Sequence, residues 1–290
     1  MKEIVVFTVH LEQFLVHQFK KIKVVEIQIV AHKMKYFLTV ILFTSLTTGA
    51  FSQGPPITTA TPIMLGLEGG GIRTFGKFIS KENTNIYVQP IGIPYNITAK
   101  FQVGGIFPFK FITPKGAETT GGIADITLFT KYQLYKKDGK AKTFRVLANL
   151  KQSFPTGKTS SNPKLGSGLY QTYVGLIVGE ISTAIGIYGD FGYNITSNGA
   201  TDNFLYNFSV GIPLLPQKYP QKQINTFLEF NGNYLFDPKI HTLFISPGLQ
   251  FISGRRILFE TSFQIPIVQE NITTNKINYM LLLGTRFLIN

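Results

Sequence analysis

The chain has 290 residues, a formal net charge of +13 and no cysteine. Disulfides and thiolate metal sites are thereby excluded, and no cofactor or metal motif is expected. Its basic residues are scattered rather than gathered into a stripe, which argues against a nucleic-acid partner and suits a surface that meets anionic lipid headgroups.

From the amino end, residues 1–33 hold Lys20, Lys21, Lys23 and three of the four histidines. They are read as an over-extended start with no structural part, Met34 being the expected first residue. Residues 34–52 run from Lys35 through the apolar stretch Tyr36–Leu46 to the small residues Ala50 and Ser52. That order predicts a cleaved secretory signal peptide, because its apolar core is too short to span a bilayer. Discounting residues 1–52 removes six lysines and three glutamates, so the +13 falls to about +10. It also leaves His241 as the remaining histidine, so histidine metal sites and Ser-His triads have at most one candidate and no enzyme is expected. Residues 53–65, "QGPPITTATPIML", are expected to form a short periplasmic segment ahead of the first strand.

Residues 66–290 show no helical periodicity and alternate instead with period two. Strands are expected near 66–78, 84–93, 97–107, 122–135, 143–154, 167–179, 182–195, 203–214, 223–236, 241–252, 256–267 and 277–289. In 225–236, Leu228, Phe230, Tyr234 and Phe236 oppose Asn225, Glu229, Asn231 and Asn233. In 256–267, Ile257, Phe259, Phe263, Ile265 and Ile267 oppose Arg256, Glu260, Ser262 and Gln264. A soluble sandwich alternates too, but its strands usually run to about five or six residues, whereas a membrane strand needs about 9–11. The charges also keep to one phase: Asp125 with Lys131, Arg145 with Lys151, Arg256 with Glu260. A charged side chain facing mid-bilayer lipid would cost about 2–4 kcal/mol. The expected fold is therefore all-β, a transmembrane antiparallel up-and-down barrel of about twelve strands, aliphatic outside and polar within.

An even strand count puts both termini on one side. Connections 108–121, 155–166, 196–202 and 268–276 then share one end and are mostly long and polar. Connections 94–96, 136–142, 180–181 and 253–255 share the other and are mostly short; 215–222 and 237–240 break the rule. The long set is expected outside the cell and the short set in the periplasm. "PTGKTSSNPKLGSG", Pro155–Gly168, falls in the outer set and reads as a soft loop on which nothing packs. Gly69-Gly70-Gly71 lacks the Lys-Ser/Thr and the helix of a phosphate loop. His241, at a strand start, reads as an interfacial polar residue.

Taken in order, "GPPITT" (Gly54–Thr59), "GGIADITLFTKYQL" (Gly121–Leu134), "FPTG" (Phe154–Gly157), "LGSG" (Leu165–Gly168), "FLEFNGNY" (Phe227–Tyr234), "SPGLQFI" (Ser246–Ile252) and "FQIPI" (Phe263–Ile267) resemble the outer-membrane barrel family that carries the label MetA-pathway of phenol degradation. The functional-amyloid export channel belongs to the same grouping. The resemblance spans nearly all of the chain after the signal peptide and implies a porin-like protein of a Gram-negative outer membrane. Its implied cargo is small, apolar or aromatic solutes.

On the chosen phase the lumen receives Lys100, Asp125, Lys131, Arg145, Lys151, Asp190, Glu229, Arg256, Glu260 and Arg286, six cations and four anions. Such charges either pair across the barrel and hold it together or make a constriction that filters solutes. Lys158 and Lys164 are the candidate contacts on the loop. The leading expectation is a channel or transporter working by passive diffusion. The alternatives are an export channel for a secreted polypeptide and a membrane-embedded enzyme acting on lipid. The expected partners are outer-membrane lipid, the barrel-assembly machinery and small solutes, and a homo-oligomer is compatible with such a wall.

Overall fold

The computed structural model describes residues 54–215, 222–254 and 256–289; the start region 1–33 and the signal peptide 34–52 lie outside the described residues. The alternating segments become strands β1 (Gly70–Lys81), β2 (Thr84–Thr98), β3 (Phe101–Pro114), β4 (Thr120–Ile123), β5 (Ile126–Gly139), β6 (Lys142–Phe154), β7 (Gln171–Ser182), β8 (Gly186–Thr196), β9 (Asn203–Pro213), β10 (Lys222–Leu235), β11 (Ile240–Ser253), β12 (Ile257–Glu270) and β13 (Ile277–Ile289). Neighbours pair antiparallel, and β1 pairs with β13, so the sheet closes on itself. Closure satisfies every wall strand's backbone groups without an open edge, the condition for a sheet to sit in lipid.

The wall has twelve positions, because β4 and β5 form one interrupted strand. β4 pairs with Phe109–Ile112 of β3 and β5 with Phe101–Ile106 of the same strand. Between them Ala124 donates its N–H to the Pro108 carbonyl at 2.9 Å. Pro108 has no N–H to return, so the ladder is interrupted there.

The two faces separate as the alternation predicts. Leu228 lies opposite Val210 and Pro247 on the outer face; Glu229, one residue on, lies opposite Ser209 and Ser246 and is fully buried within. Ile72, Phe107, Phe109, Leu128, Leu150, Val174, Phe191, Phe208, Phe259, Phe263, Ile265, Leu283 and Phe287 are exposed on the outside. A continuous apolar surface of this kind is far beyond what a soluble monomer displays. The interior is lined by buried Asn149, Asp190, Asn225, Glu229, Ser246, Gln250, Glu260, Gln264 and Arg286, which excludes a soluble barrel with an apolar inside. The Leu228→Arg variant is expected to insert poorly, the charge costing about 2–4 kcal/mol at mid-membrane. A gel of unboiled membrane fractions checks this: normal amounts of the folded, faster- or slower-running band would show that Leu228 does not face lipid.

Prolines shift several expected ends. Connections were expected at 94–96 and 108–121, yet Pro90 and Pro94 lie inside β2, and Pro108 and Pro114 inside β3, with Pro90 directly opposite Pro108. The turns fall instead at 99–100 and 115–119. The first strand begins at Gly70 rather than 66.

The long connection between β6 and β7 is also less soft than its composition implies. Asp125, in the gap between β4 and β5, accepts the N–H of Gly157 at 2.9 Å and both the N–H and hydroxyl of Ser167 at 2.6 Å. Leu165 is 3% exposed, and Lys110 Nζ donates to its carbonyl at 3.3 Å. The two arms touch at Gly157 and Gly166, where a Cβ on Gly157 would stand 2.7 Å from the Gly166 Cα. Even the tip near Ser160 touches the wall, the Thr120 hydroxyl of β4 donating to the Asn162 carbonyl at 3.1 Å, while Lys158 and Lys164 are exposed on either side.

Candidate functional site: the lumen and its inner segment

The end of the barrel that holds Gly70 and Ile289 is called here the terminal end, and the opposite one, with connections 155–170, 197–202 and 271–276, the loop end. Residues 54–64 do not stay outside the terminal end, as was expected of 53–65. They enter the lumen there, reach mid-depth around Thr58–Ala60 and return to Gly70. An extended segment without a strand partner must satisfy its backbone some other way. Here lumenal side chains do it. Glu229 accepts the N–H groups of Ile57 (2.6 Å), Thr58 (2.8 Å) and Thr59 (2.7 Å), and Asp190 accepts that of Ala60 (2.6 Å).

The carbonyls are met from the other side. Tyr188 Oη donates to Gly54 O at 3.2 Å, Gln250 Nε2 to Pro55 O at 3.0 Å and Arg286 Nη2 to Pro56 O at 2.5 Å; Arg73 Nη2 donates to Ile57 O. The two arginines share one carboxylate: Glu260 takes Arg73 at 2.7 Å and Arg286 at 2.8 Å. Acids therefore grip the donors of the segment, and Tyr188, Gln250 and the two arginines its acceptors, which fixes its direction as well as its place.

Packing completes the seat. Ile57 lies with Tyr188, Phe227 and Leu282, and Met64 with Leu147 and Ile177. These inward-facing apolar residues, out of place in a water-filled lumen, are explained by the segment they cover. Gly248 and Gly179 leave room for it: a Cβ on Gly248 would stand 2.6 Å from the Ile57 Cδ1, and one on Gly179 would stand 2.8 Å from the Pro62 Cγ.

Of the residues expected in the lumen, Asp190, Glu229, Glu260 and Arg286 are buried there and hold the segment or each other. Lys131 and Lys151 face inward nearer the loop end, in phase with buried Gln133 and Asn149. Arg145 shares the phase of buried Leu147 near the terminal end, and its Nε meets Thr143 Oγ1 at 3.3 Å. Three expectations are corrected. Lys100 is exposed in the β2–β3 turn, and Arg256 is exposed just ahead of β12. Both were placed by carrying a strand's phase past its end into a turn. Asp125 binds the 155–170 connection instead of lining a free lumen.

Sequence reasoning missed Arg73, Lys77 and Lys110. The signal for the first two was present: "GGIRTFGKFISK" sets Arg73, Phe75 and Lys77 in one phase, but the glycines of that stretch obscured it. Residues 54–64 gave no signal, since the segment has neither charge nor periodicity. His241 lies on the outer face at the loop end, 2.6 Å from the Tyr206 hydroxyl and 3.8 Å from Glu270. Tyr206 and Tyr234 flank it, an aromatic belt of the kind found where lipid meets water.

No family model matches the chain, and no curated protein matches it in sequence. Among solved structures it is similar to the COG4313 outer membrane channel from Pseudomonas putida F1, at 13% identity and a TM-score of 0.59, over 82% of this chain and 100% of that one. Lower scores relate it to the beta domain of the Bordetella autotransporter BrkA, at 12% identity and a TM-score of 0.47 over 76% of this chain and 99% of that one. The CymD monoaromatic hydrocarbon channel follows at 10% identity and a TM-score of 0.41, over 77% of this chain and 88% of that one. The twelve-position closed wall, its apolar outer face and the first of these likenesses together make the fold that of an outer-membrane β-barrel channel.

Proposed function

We propose that this protein is an outer-membrane channel passing small apolar or aromatic solutes by passive diffusion, of the kind its resemblance to the MetA-pathway barrel family implies. The loop end faces outside and the terminal end the periplasm, because the longer connections gather at the former. The observation that carries the reading is the lumen. Its terminal half is filled by an uncharged, proline-rich segment seated on apolar side chains such as Leu147, Ile177 and Phe227. A freely hydrated pore needs no such side chains. A lumen that accepts Ile57 and Met64 against its wall offers the same contacts to an apolar solute once the segment moves.

The test is permeation. Cells of a tight-membraned Gram-negative host that express the chain should take up labelled toluene faster than cells with an empty vector, while uptake of a sugar of similar mass stays unchanged. Equal toluene uptake in both would sink the reading, and faster sugar uptake would replace it with that of a general porin. For sidedness, an epitope inserted between Ser160 and Ser161 should bind antibody on intact cells. One inserted between Asp138 and Gly139 should bind only after permeabilisation; the reverse pattern inverts the topology.

A further inference from the structure

Arg73 and Arg286 are paired in the lumen with Glu260; the lumenal Lys131 and Lys151 on the loop side have no such partner among the described residues. Lys131 of β5 lies directly opposite Asn149 of β6, which lies opposite Gly175 of β7. In the next row toward the loop end, Phe129, Lys151 and Tyr173 stand side by side on the same three strands. All share the inner phase, so Lys131, Asn149, Lys151 and Tyr173 form one patch on the lumenal wall. Among the described residues neither lysine lies within ion-pair distance of a carboxylate. The nearby lumenal acids are already engaged, Asp190 and Glu229 by the inner segment and Glu260 by two arginines.

Two neutral groups in the same patch are also unsatisfied. Asn149 is 2% exposed and Tyr173 4%, yet neither the Oδ1 nor the Nδ2 of Asn149, nor the Tyr173 hydroxyl, has a hydrogen-bond partner among the described residues. Leaving a buried polar group unpaired is costly, so two such side chains in one patch call for an explanation. Their seat is constructed. The Tyr173 ring lies on a pair of facing glycines: a Cβ on Gly175 would stand 2.5 Å from its hydroxyl, and one on Gly192 2.6 Å from its Cζ. Lys151 Nζ stands over the same ring, 4.6 Å from its centre. Just below, toward the terminal end, Leu147 faces Ile177, and Met64 of the inner segment covers both.

We propose that this patch is a binding station for a monocarboxylate with an apolar or aromatic body. The two ammonium groups and the donors of Asn149 and Tyr173 meet the carboxylate, and the body displaces the Met64 side chain from Leu147 and Ile177. The station deepens the channel reading and rests on it for its place in a transport path, but binding itself needs no transport. An anion without an apolar body would use only half of the site, and a neutral aromatic only the other half.

The test is calorimetric titration of the folded protein in non-ionic detergent, each variant's folding checked by its mobility before boiling. Benzoate should bind at least tenfold more tightly than benzyl alcohol and than inorganic phosphate. Lys131→Met and Lys151→Met should each remove most of that preference. Lys77→Met deletes a lumenal lysine outside the patch and should keep it. Asn149→Leu removes the unpaired polar atoms, so it should fold at least as well as the parent and still bind benzoate more weakly. Equal binding of benzoate and phosphate, or an equal loss in Lys77→Met, would reduce the station to diffuse attraction by a basic lumen and overturn the proposal. Absence of benzoate binding would overturn it as well. If benzoate binds as expected but toluene uptake is unchanged in cells, the station stands and the channel reading fails.

Discussion

Deleting residues 54–64 is expected to raise single-channel conductance several-fold in planar bilayers. The segment occupies the terminal half of the lumen, with Ile57 and Thr59 almost fully buried. A twelve-position barrel is wider than the eight-stranded kind that its own side chains fill, and narrower than open porins of 16–18 strands. What closes this one is therefore the segment more than the wall. The wall should survive the deletion, since its ladders run strand to strand and none passes through residues 54–64. Some stability goes with the lost contacts: burying a side chain such as Ile57 or Met64 contributes about 1.5–3 kcal/mol. A milder variant separates loosening from loss. Glu229→Leu removes the acceptor of three backbone N–H groups and should give flickering openings, because the segment can leave and return. Conductance unchanged in both variants would show that ions take a route the segment does not block.

The second large effect is expected at Glu260. Its side chain is fully buried, with Arg73 and Arg286 bound to its two oxygens and themselves 27% and 11% exposed. Glu260→Leu leaves two guanidinium groups near each other with no counter-charge. Removing one partner from a buried ion cluster typically costs about 3–5 kcal/mol; the partial access of Arg73 to water places this case toward the lower end. The same variant frees both arginines from the geometry in which they hold the carbonyls of Pro56 and Ile57, so the channel should also open more often. A triple variant, Arg73→Met with Glu260→Leu and Arg286→Met, should recover much of the stability and stay leaky, because it removes the stranded charges without restoring the grip. The urea midpoint for loss of the folded gel band in lipid vesicles reads the first effect and conductance the second. A Glu260→Leu protein as stable as the parent would mean that the arginines reach other acceptors.

Chain-local pattern was enough for the wall. Period-two alternation depends on the pleat of one strand, so the outward Leu228 and inward Glu229, and the twelve wall positions, could be read from neighbouring residues alone. Where a strand starts or stops is a weaker signal: Pro94 and Pro108 look like breaks in isolation but lie inside a closed sheet, and Lys100 and Arg256 took the phase of strands that begin one residue later. The content of the lumen was decided by tertiary structure. Ile57 finds Glu229 172 positions away and Pro56 finds Arg286 230 away, contacts that exist only once the sheet has closed and brought opposite walls around one space. An uncharged segment such as 54–64 carries no periodicity because its partners are side chains on several strands, each offering a donor or acceptor to one peptide group, and no local spacing in the sequence encodes that arrangement.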